Sequence, residues 1–297
     1  MTRKHFAFVS ILGAPNAGKS TLVNQMMQTK ISIVSPKVQT TRFRVRAVLV
    51  EGLTQLVLVD TPGIFKPRRR LDRAMVADAW NQAEETDICL LLVDASKGMT
   101  EEVRQIVQSL QEKKKQVLLA LNKIDLVPKE KLLPLIDAFR RTKVCSEIFM
   151  ISAKTGQNIT ELKEKLISLA PKGIWLFPED QLTDLPNRLF AAELTREKLF
   201  YHLQKELPYA VAVETLLWRE DEKSIRIEQV IYVERTSQRA IVLGKEGAMI
   251  KKIGSSARLE LQKILGKKVN LFLFVKVREN WTEDPNQYKP WGLDFNA

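Results

Sequence analysis

Gly13-Ala14-Pro15-Asn16-Ala17-Gly18-Lys19-Ser20 constrains this chain more than any other stretch. The apolar run His5 to Leu12 leads into it, and Thr21-Leu22-Val23-Asn24-Gln25-Met26-Met27 leads out. The order therefore reads strand, glycine-bounded loop, helix. The loop satisfies G-x-x-x-x-G-K-[ST] at every fixed position. Backbone N–H groups of such a loop and of the new helix's first turn converge on one concavity, where the helix dipole also favours an anion. Lys19 is then placed to reach the β and γ phosphates of a nucleotide, and the Ser20 hydroxyl, next to Thr21, to ligand magnesium.

The strands that follow carry the rest of the site. Arg42 to Val50 alternates basic and apolar residues and reads as a strand with one wet, positive face. Glu51-Gly52 turns into a second strand, Gln55 to Val59, which ends in Asp60-Thr61-Pro62-Gly63. An aspartate at the end of a buried strand can hold the water shell of a magnesium ion, and Gly63 lets its N–H approach a terminal phosphate. A helix is expected over Leu71 to Glu85, from Leu71, Met75, Ala79 and Ala83 at spacing four. Strands at Ile88 to Val93, Gln116 to Leu121 and Ile148 to Ile151 then alternate with helices at Glu101 to Lys113, near Lys131 to Phe139, and at Ile159 to Leu169. Near-continuous apolar strands between helices imply a mostly parallel sheet, six-stranded here and covered on both faces. Ligands of such sheets bind at the carboxyl ends of the strands, where every one of these motifs lies.

Two more motifs select the base. Asn122-Lys123-Ile124-Asp125 and Ser152-Ala153-Lys154 each follow a strand. The Asp125 carboxylate can accept from guanine N1–H and its exocyclic amino group. Adenine would leave a buried carboxylate unpaired, a large penalty. The Lys123 stem can cover the ring, Asn122 can brace the loops, and the Ala153 N–H can donate to the guanine oxygen.

Residues 5 to about 170 thus resemble a translation-factor-class GTPase domain of the Ras-like kind. More narrowly, Gln39-Thr40-Thr41-Arg42 and Asp60-Thr61-Pro62-Gly63-Ile64 resemble the Era family. That resemblance implies GTP/GDP as ligand, with Ser20, Thr41 and Asp60 at Mg2+ and with Lys19, Thr41, Gly63 and Asn16 in catalytic positions. Thr41 is the better candidate for the switch threonine, with Thr40 its neighbour left open. An asparagine at the place of Asn16 implies K+ beside the phosphates. Where Ras-like enzymes carry a water-orienting glutamine, this chain has Ile64, so slow intrinsic hydrolysis is expected. Lys66, Arg68, Arg69, Arg70 and Arg73 read either as a solvated switch or as a contact surface for RNA or a partner. None has the placement of an arginine finger.

Pro171 to Pro186 breaks the rhythm with three prolines and a glycine, which sets the division at 1–172, a linker 173–186, a second domain 187–280 and a tail 281–297. Helix Asn187 to Leu207, strands Tyr209 to Trp218 and Ile225 to Val233, helix Ser256 to Leu265 and strand Val269 to Val277 are expected. Gly244-Lys245-Glu246-Gly247 is a G-x-x-G loop at a helix start, the element KH domains use to clamp a nucleic-acid backbone. Between Arg235 and Glu279 stand eleven Lys/Arg against three Glu, a net charge of +8 out of the chain's +12. The expected fold is α/β, a P-loop GTPase domain followed by an α+β KH domain of type II-like order. That arrangement is the one seen in the Era family. It implies binding of the 3′ region of small-subunit ribosomal RNA, on the pre-30S particle, through Gly244, Lys245, Gly247, Lys251, Lys252 and Arg258. The tail, with Trp281, Tyr288 and Trp291, is assigned only to RNA contact or domain docking.

The excess of 47 basic over 35 acidic side chains points to a polyanion, RNA or an anionic membrane surface. No run approaches the roughly 18 apolar residues of a spanning helix, so any membrane contact would be peripheral. The N-terminal Met1-Thr2-Arg3-Lys4 lacks the long apolar region of a leader. Cys89 and Cys145 show no metal-type spacing, which fits a reducing cytoplasm, and a monomer is expected. Besides the leading reading stand an RNA chaperone in which GTP only sets affinity, and a peripheral membrane GTPase.

Overall fold

A computed structural model describes residues 4–297; Met1-Thr2-Arg3, where no apolar leader is expected, lie outside it. The chain forms two compact units, neither continuous in sequence. The first comprises the described residues up to Ser32, Thr41–Asp184 and Lys289–Ala297, the second Ile33–Thr40 and Leu185–Tyr288.

In the first unit the strands are β1 (His5–Leu12), β2 (Val45–Glu51), β3 (Thr54–Asp60), β4 (Ile88–Asp94), β5 (Val117–Asn122) and β6 (Cys145–Met150). The helices are α1 (Lys19–Met27), α2 (Arg70–Glu85), α3 (Glu101–Glu112), α4 (Lys129–Arg141) and α5 (Ile159–Leu169). The sheet order is β2-β3-β1-β4-β5-β6. Only β2 runs antiparallel, paired with β3 from Val45↔Asp60 to Glu51↔Thr54. Strands β3 and β4 are buried at every position, as strands covered on both faces must be. One apolar cluster, with Leu91, Val93, Ile106, Leu119 and Phe139, fills the side of the sheet under α2, α3 and α4 and takes in Cys89.

Three expected boundaries move. Strand β2 begins at Val45, because Arg42 and Phe43 are turned inward and each is only 3% exposed. The positive wet face predicted for Arg42 is therefore absent. Strand β6 begins at Cys145 and ends at Met150; it is a half-exposed sheet edge with a register shift opposite Val117/Leu118, which blurs its pattern.

The second unit runs α6 (Asn187–His202), β7 (Ala212–Glu220), β8 (Ser224–Val233), α7 (Thr236–Leu243), α8 (Ala248–Leu265) and β9 (Lys268–Val277). Its sheet order is β7-β8-β9, with β7 antiparallel and β9 parallel to β8. Helix α6 ends at His202, and Leu207–Ala210 is a 3₁₀ turn around Pro208, so β7 starts later than expected. Helix α7 was not expected. Its short run Arg239 to Leu243 carries the β-branched Ile241 and Val242 and is too brief to show a period. Helix α8 begins at Ala248, directly after the G-x-x-G loop expected at a helix start, and runs on through the expected Ser256–Leu265 helix, since Gly254 does not interrupt it. A Cβ there would lie 3.2 Å from Leu273 Cδ1, so the glycine is where α8 comes close to β9. Trp281 is buried in this unit and donates from Nε1 to the Ala210 carbonyl at 3.0 Å.

Candidate nucleotide site and nucleic-acid face

The loop between β1 and α1 is built on backbone conformations that fit few residues. Gly18 has φ +102°, and a Cβ on it would lie 2.3 Å from Asn122 Nδ2. Asn16 also adopts a positive φ, of 62°. Lys19 is 6% exposed and its ammonium donates to the carbonyls of Gly13 and Ala14 at 3.1 and 3.2 Å. Burial pushes Lys19 down to about 8, and the Asp60 carboxylate opposes the shift.

Asp60 closes β3 with no exposed surface, and neither of its buried oxygens makes a hydrogen bond of ordinary geometry. Burial pushes its carboxyl up; the hydroxyls of Ser20, Ser32 and Thr41 and the charge of Lys19 act the other way. The Ser20 and Thr41 hydroxyls lie 2.9 Å apart. Two hydroxyls beside a buried carboxylate with unspent acceptors form an oxygen donor set that fits magnesium. Thr40 is engaged elsewhere: its hydroxyl donates to the Lys37 carbonyl at 2.9 Å and meets Ser35 Oγ at 2.6 Å. Of the two candidate threonines, Thr41 is therefore the one brought to Ser20.

After Asp60, the Thr61 hydroxyl donates to the Ile11 carbonyl at 2.7 Å, and Pro62 and Gly63 are buried. The Ile64 N–H donates to the Gly13 carbonyl at 3.0 Å, which ties this loop to the phosphate loop. The Ile64 side chain is 7% exposed and belongs to the core cluster. Lys66, Arg68, Arg69 and Arg73 are exposed. The Asp72 carboxylate accepts from the N–H groups of Arg68 and Arg69, both at 3.0 Å, and closes the first turn of α2.

The base motifs are fastened to the same loop. Asn122 donates from Nδ2 to the Ala17 carbonyl at 2.8 Å, and its Oδ1 accepts from the Ala153 N–H at 2.9 Å. Asn122 thus braces both loops, but the Ala153 N–H expected to meet a guanine oxygen is taken by Asn122. Lys123 donates to the Asn16 carbonyl at 2.7 Å and to Asp94 Oδ2 at 2.6 Å, which stretches its stem across the loop. Asp125 is exposed in the 3₁₀ turn Ile124–Leu126, so desolvation of its carboxylate falls to the base itself. Ser152 is buried and Lys154 is exposed. Asp94 was missed in the sequence, although its place at the carboxyl end of β4 was a usable signal.

In the second unit, Gly244, Glu246 and Gly247 all have positive φ, at 71°, 52° and 76°. A Cβ on Gly244 would lie 2.7 Å from that of Met249, so the loop folds tightly onto the start of α8. Lys245, Lys251, Lys252 and Arg258 are exposed. Lys251, Lys252, Ser255, Ser256 and Leu259 line an open hollow of about 530 Å³ along α8. The same unit holds residues 33–40. Glu197 of α6 accepts from the Val34 N–H at 2.7 Å, Arg196 donates to the Thr40 carbonyl, and Lys37 donates to the Phe200 carbonyl.

Residues 8–123 match the family described as 50S ribosome-binding GTPase, and residues 206–282 match the KH domain. The chain is 52% identical to GTPase Era of a Bradyrhizobium species over 97% of this chain and 94% of that one. The chain belongs to the Era GTPase family. A crystal structure of Era with MgGDPNP and nucleotides 1506–1542 of 16S ribosomal RNA is 38% identical, with a TM-score of 0.92 over 97% of this chain and 99% of the other. A tyrosine-to-alanine variant of Aquifex aeolicus Era bound to GDP·AlF4⁻ is 39% identical, again with a TM-score of 0.92 over the same shares. As an Era GTPase, this chain binds and hydrolyses GTP on the six-stranded unit and carries a KH domain after it.

Proposed function

We propose that this Era-family GTPase is a switch whose GTP state governs binding of the 3′ region of small-subunit ribosomal RNA during maturation of the pre-30S particle. The carrying observation is the contact of Ser20 with Thr41 beside Asp60, whose buried oxygens make no hydrogen bond of ordinary geometry. Ser20 and Thr41 would hold Mg2+, with Asp60 on its water shell, and the ion would neutralise charge building on the β and γ phosphates. Lys19 leaves the Gly13 and Ala14 carbonyls for those phosphates, Gly63 offers its N–H to the terminal one, and Asn122, Lys123 and Asp125 hold the base. Asn16 would also hold K+ at the phosphates, so hydrolysis should be faster in potassium than in sodium, and Asn16→Ala should erase the difference.

Ile64, buried in the core, orients no water, so the intrinsic rate is slow. RNA lies along α8, with its backbone at Gly244, Lys245 and Gly247 and further contacts from Lys251, Lys252 and Arg258. The division of labour follows a nucleotide domain at 1–172, a linker at 173–186 and an RNA domain at 187–280. We place the chain in the cytoplasm as a monomer. No helix among the described residues is long and apolar enough to cross a membrane. Peripheral contact with anionic lipid on the inner face is the competing use of the positive charge.

Ile64 also favours a second reading, an RNA chaperone in which GTP sets affinity and turnover is incidental. Crosslinking in cells with sequencing of the bound RNA tests the main proposal. Enrichment of the 3′ region of small-subunit RNA is expected, and its absence would overturn it. A variant that binds GTP without hydrolysing it, yet still supports subunit maturation, would establish the chaperone reading.

A further inference from the structure

Thr41 must be held against Ser20 although no helix or strand contains it: the chain is irregular from Gln28 to Arg44. Thr40 just before it is held by Arg196 and Lys37, and the residues on its C-terminal side are anchored as well. Phe43 stacks on Trp291 with ring centroids 6.4 Å apart and planes 11° from parallel. The Arg42 guanidinium stands 6.0 Å from the same indole ring. Arg44 forms an ion pair with Asp78 of α2 at 2.9 Å. Three consecutive residues after Thr41 are thus anchored, two of them by one side chain.

That side chain arrives from far along the sequence. Lys289–Ala297 belongs to the first unit, and Lys289–Trp291 forms a 3₁₀ turn that presents the indole. Trp291 and Leu293 are each 7% exposed. The far end of the segment is seated on α2. Arg70, its first residue, donates to the Phe295 carbonyl at 3.4 Å and lies 4.4 Å above the Phe295 ring. One short segment therefore grips the chain after Thr41 and also the helix that follows Gly63 and Ile64.

We propose that Trp291 is a positioning residue for GTP hydrolysis: the segment Lys289–Ala297 is a strap that sets the Thr41 hydroxyl through Arg42 and Phe43. This rests on Thr41 being the switch threonine of the proposed mechanism. Its hydroxyl would engage magnesium and the γ-phosphate, so losing the strap should weaken binding of a GTP analogue while leaving GDP affinity in place. Small misplacements of a reacting geometry, made from a distance, cost up to about a hundredfold in rate.

The test compares Trp291→Ala, Trp291→Phe and Thr41→Ala in the full chain. Affinities for GDP and a non-hydrolysable GTP analogue are measured at several magnesium concentrations, with single-turnover hydrolysis. Trp291→Ala is expected to lower the hydrolysis rate about tenfold or more, to reduce the preference for the GTP analogue by a similar factor and to raise the magnesium requirement. GDP affinity should hold within about twofold, which also reports a folded nucleotide site, and Trp291→Phe, which keeps a flat ring, should recover most of the loss. Should Trp291→Ala fail to fold, Phe43→Leu and Phe295→Ala carry the same expectation. If Thr41→Ala changes the GTP preference and the strap variants do not, the strap is overturned and the switch threonine stands. If Thr41→Ala also has no effect, the underlying assignment of Thr41 fails.

Discussion

At the scale of single residues, the site is a set of side chains whose partners are other loops. Asn122 bridges Ala17 and Ala153, and Lys123 bridges Asn16 and Asp94. Burial raises the Asp94 carboxyl, but Lys123 and Ser96 outweigh it and hold the group below the ordinary carboxylate range. A carboxylate depressed in the folded state stabilises above its ordinary pKa and loses that contribution as pH falls through the folded value. Asp94→Asn should therefore cost about 1–2 kcal/mol at pH 7, read as a shift in denaturant midpoint, and the cost should shrink in acid. On the proposed role of the exposed Asp125 in base preference, Asp125→Asn should shift selection from guanine toward xanthine nucleotides, measured by competition binding. Unchanged preference for GTP would contradict its role. Residues set by local chemistry were legible: Gly13 to Ser20 and Asn122 could be placed from spacing alone. Arg42 was not: it is turned inward beside Trp291, which stands almost 250 positions away in sequence.

Elements show the same division between local and distant causes. Strands β1, β3, β4 and β5 announced themselves as apolar runs, whereas β2 alternates and β6 is a half-exposed edge. Helix α6 did not announce its role. Glu193, Thr195, Arg196, Glu197 and Lys198 are all buried, and such a polar run reads from sequence as a solvated face. Glu193 pairs with Arg196 and Lys198 with Glu197, and their remaining partners include residues 33–40, which no periodicity could reveal. Helix α8 was read too short because Gly254 and two serines look like a break. Tertiary packing overrides that preference: Gly254→Ala should be nearly neutral, since up to about 1 kcal/mol of helix propensity offsets the tight contact with Leu273. Gly254→Val adds branches into the same space and should destabilise the KH domain by about 1–3 kcal/mol in thermal or denaturant melts.

For the whole molecule, the charge distribution is what the proposed RNA contact rests on. Most of the net charge lies between Arg235 and Glu279, and Lys251, Lys252 and Arg258 point from α8 into solvent. Contacts to a single-stranded backbone release counterions, with an affinity slope against salt of about −0.7 per phosphate neutralised. The double substitution Lys251→Ala and Lys252→Ala should weaken RNA binding and flatten that slope by about one to two units, while leaving GDP affinity unchanged. An unaltered slope would remove those lysines from the RNA contact. The order of domains was readable from motifs. The return of residues 289–297 to the first unit was not, because a nine-residue segment with two aromatics carries no signal of where it docks.

The burial of Ile64 has a consequence for how the GTP state can be timed. In the cluster with Leu12, Leu91 and Val93, a glutamine at this position would bring an amide into a dry core rather than deliver it to an attacking water. The usual single-residue route to a faster enzyme is therefore closed by packing. On the proposed slow hydrolysis, the lifetime of the loaded state would behave as a built-in delay, and shortening it would require something to approach from outside the fold.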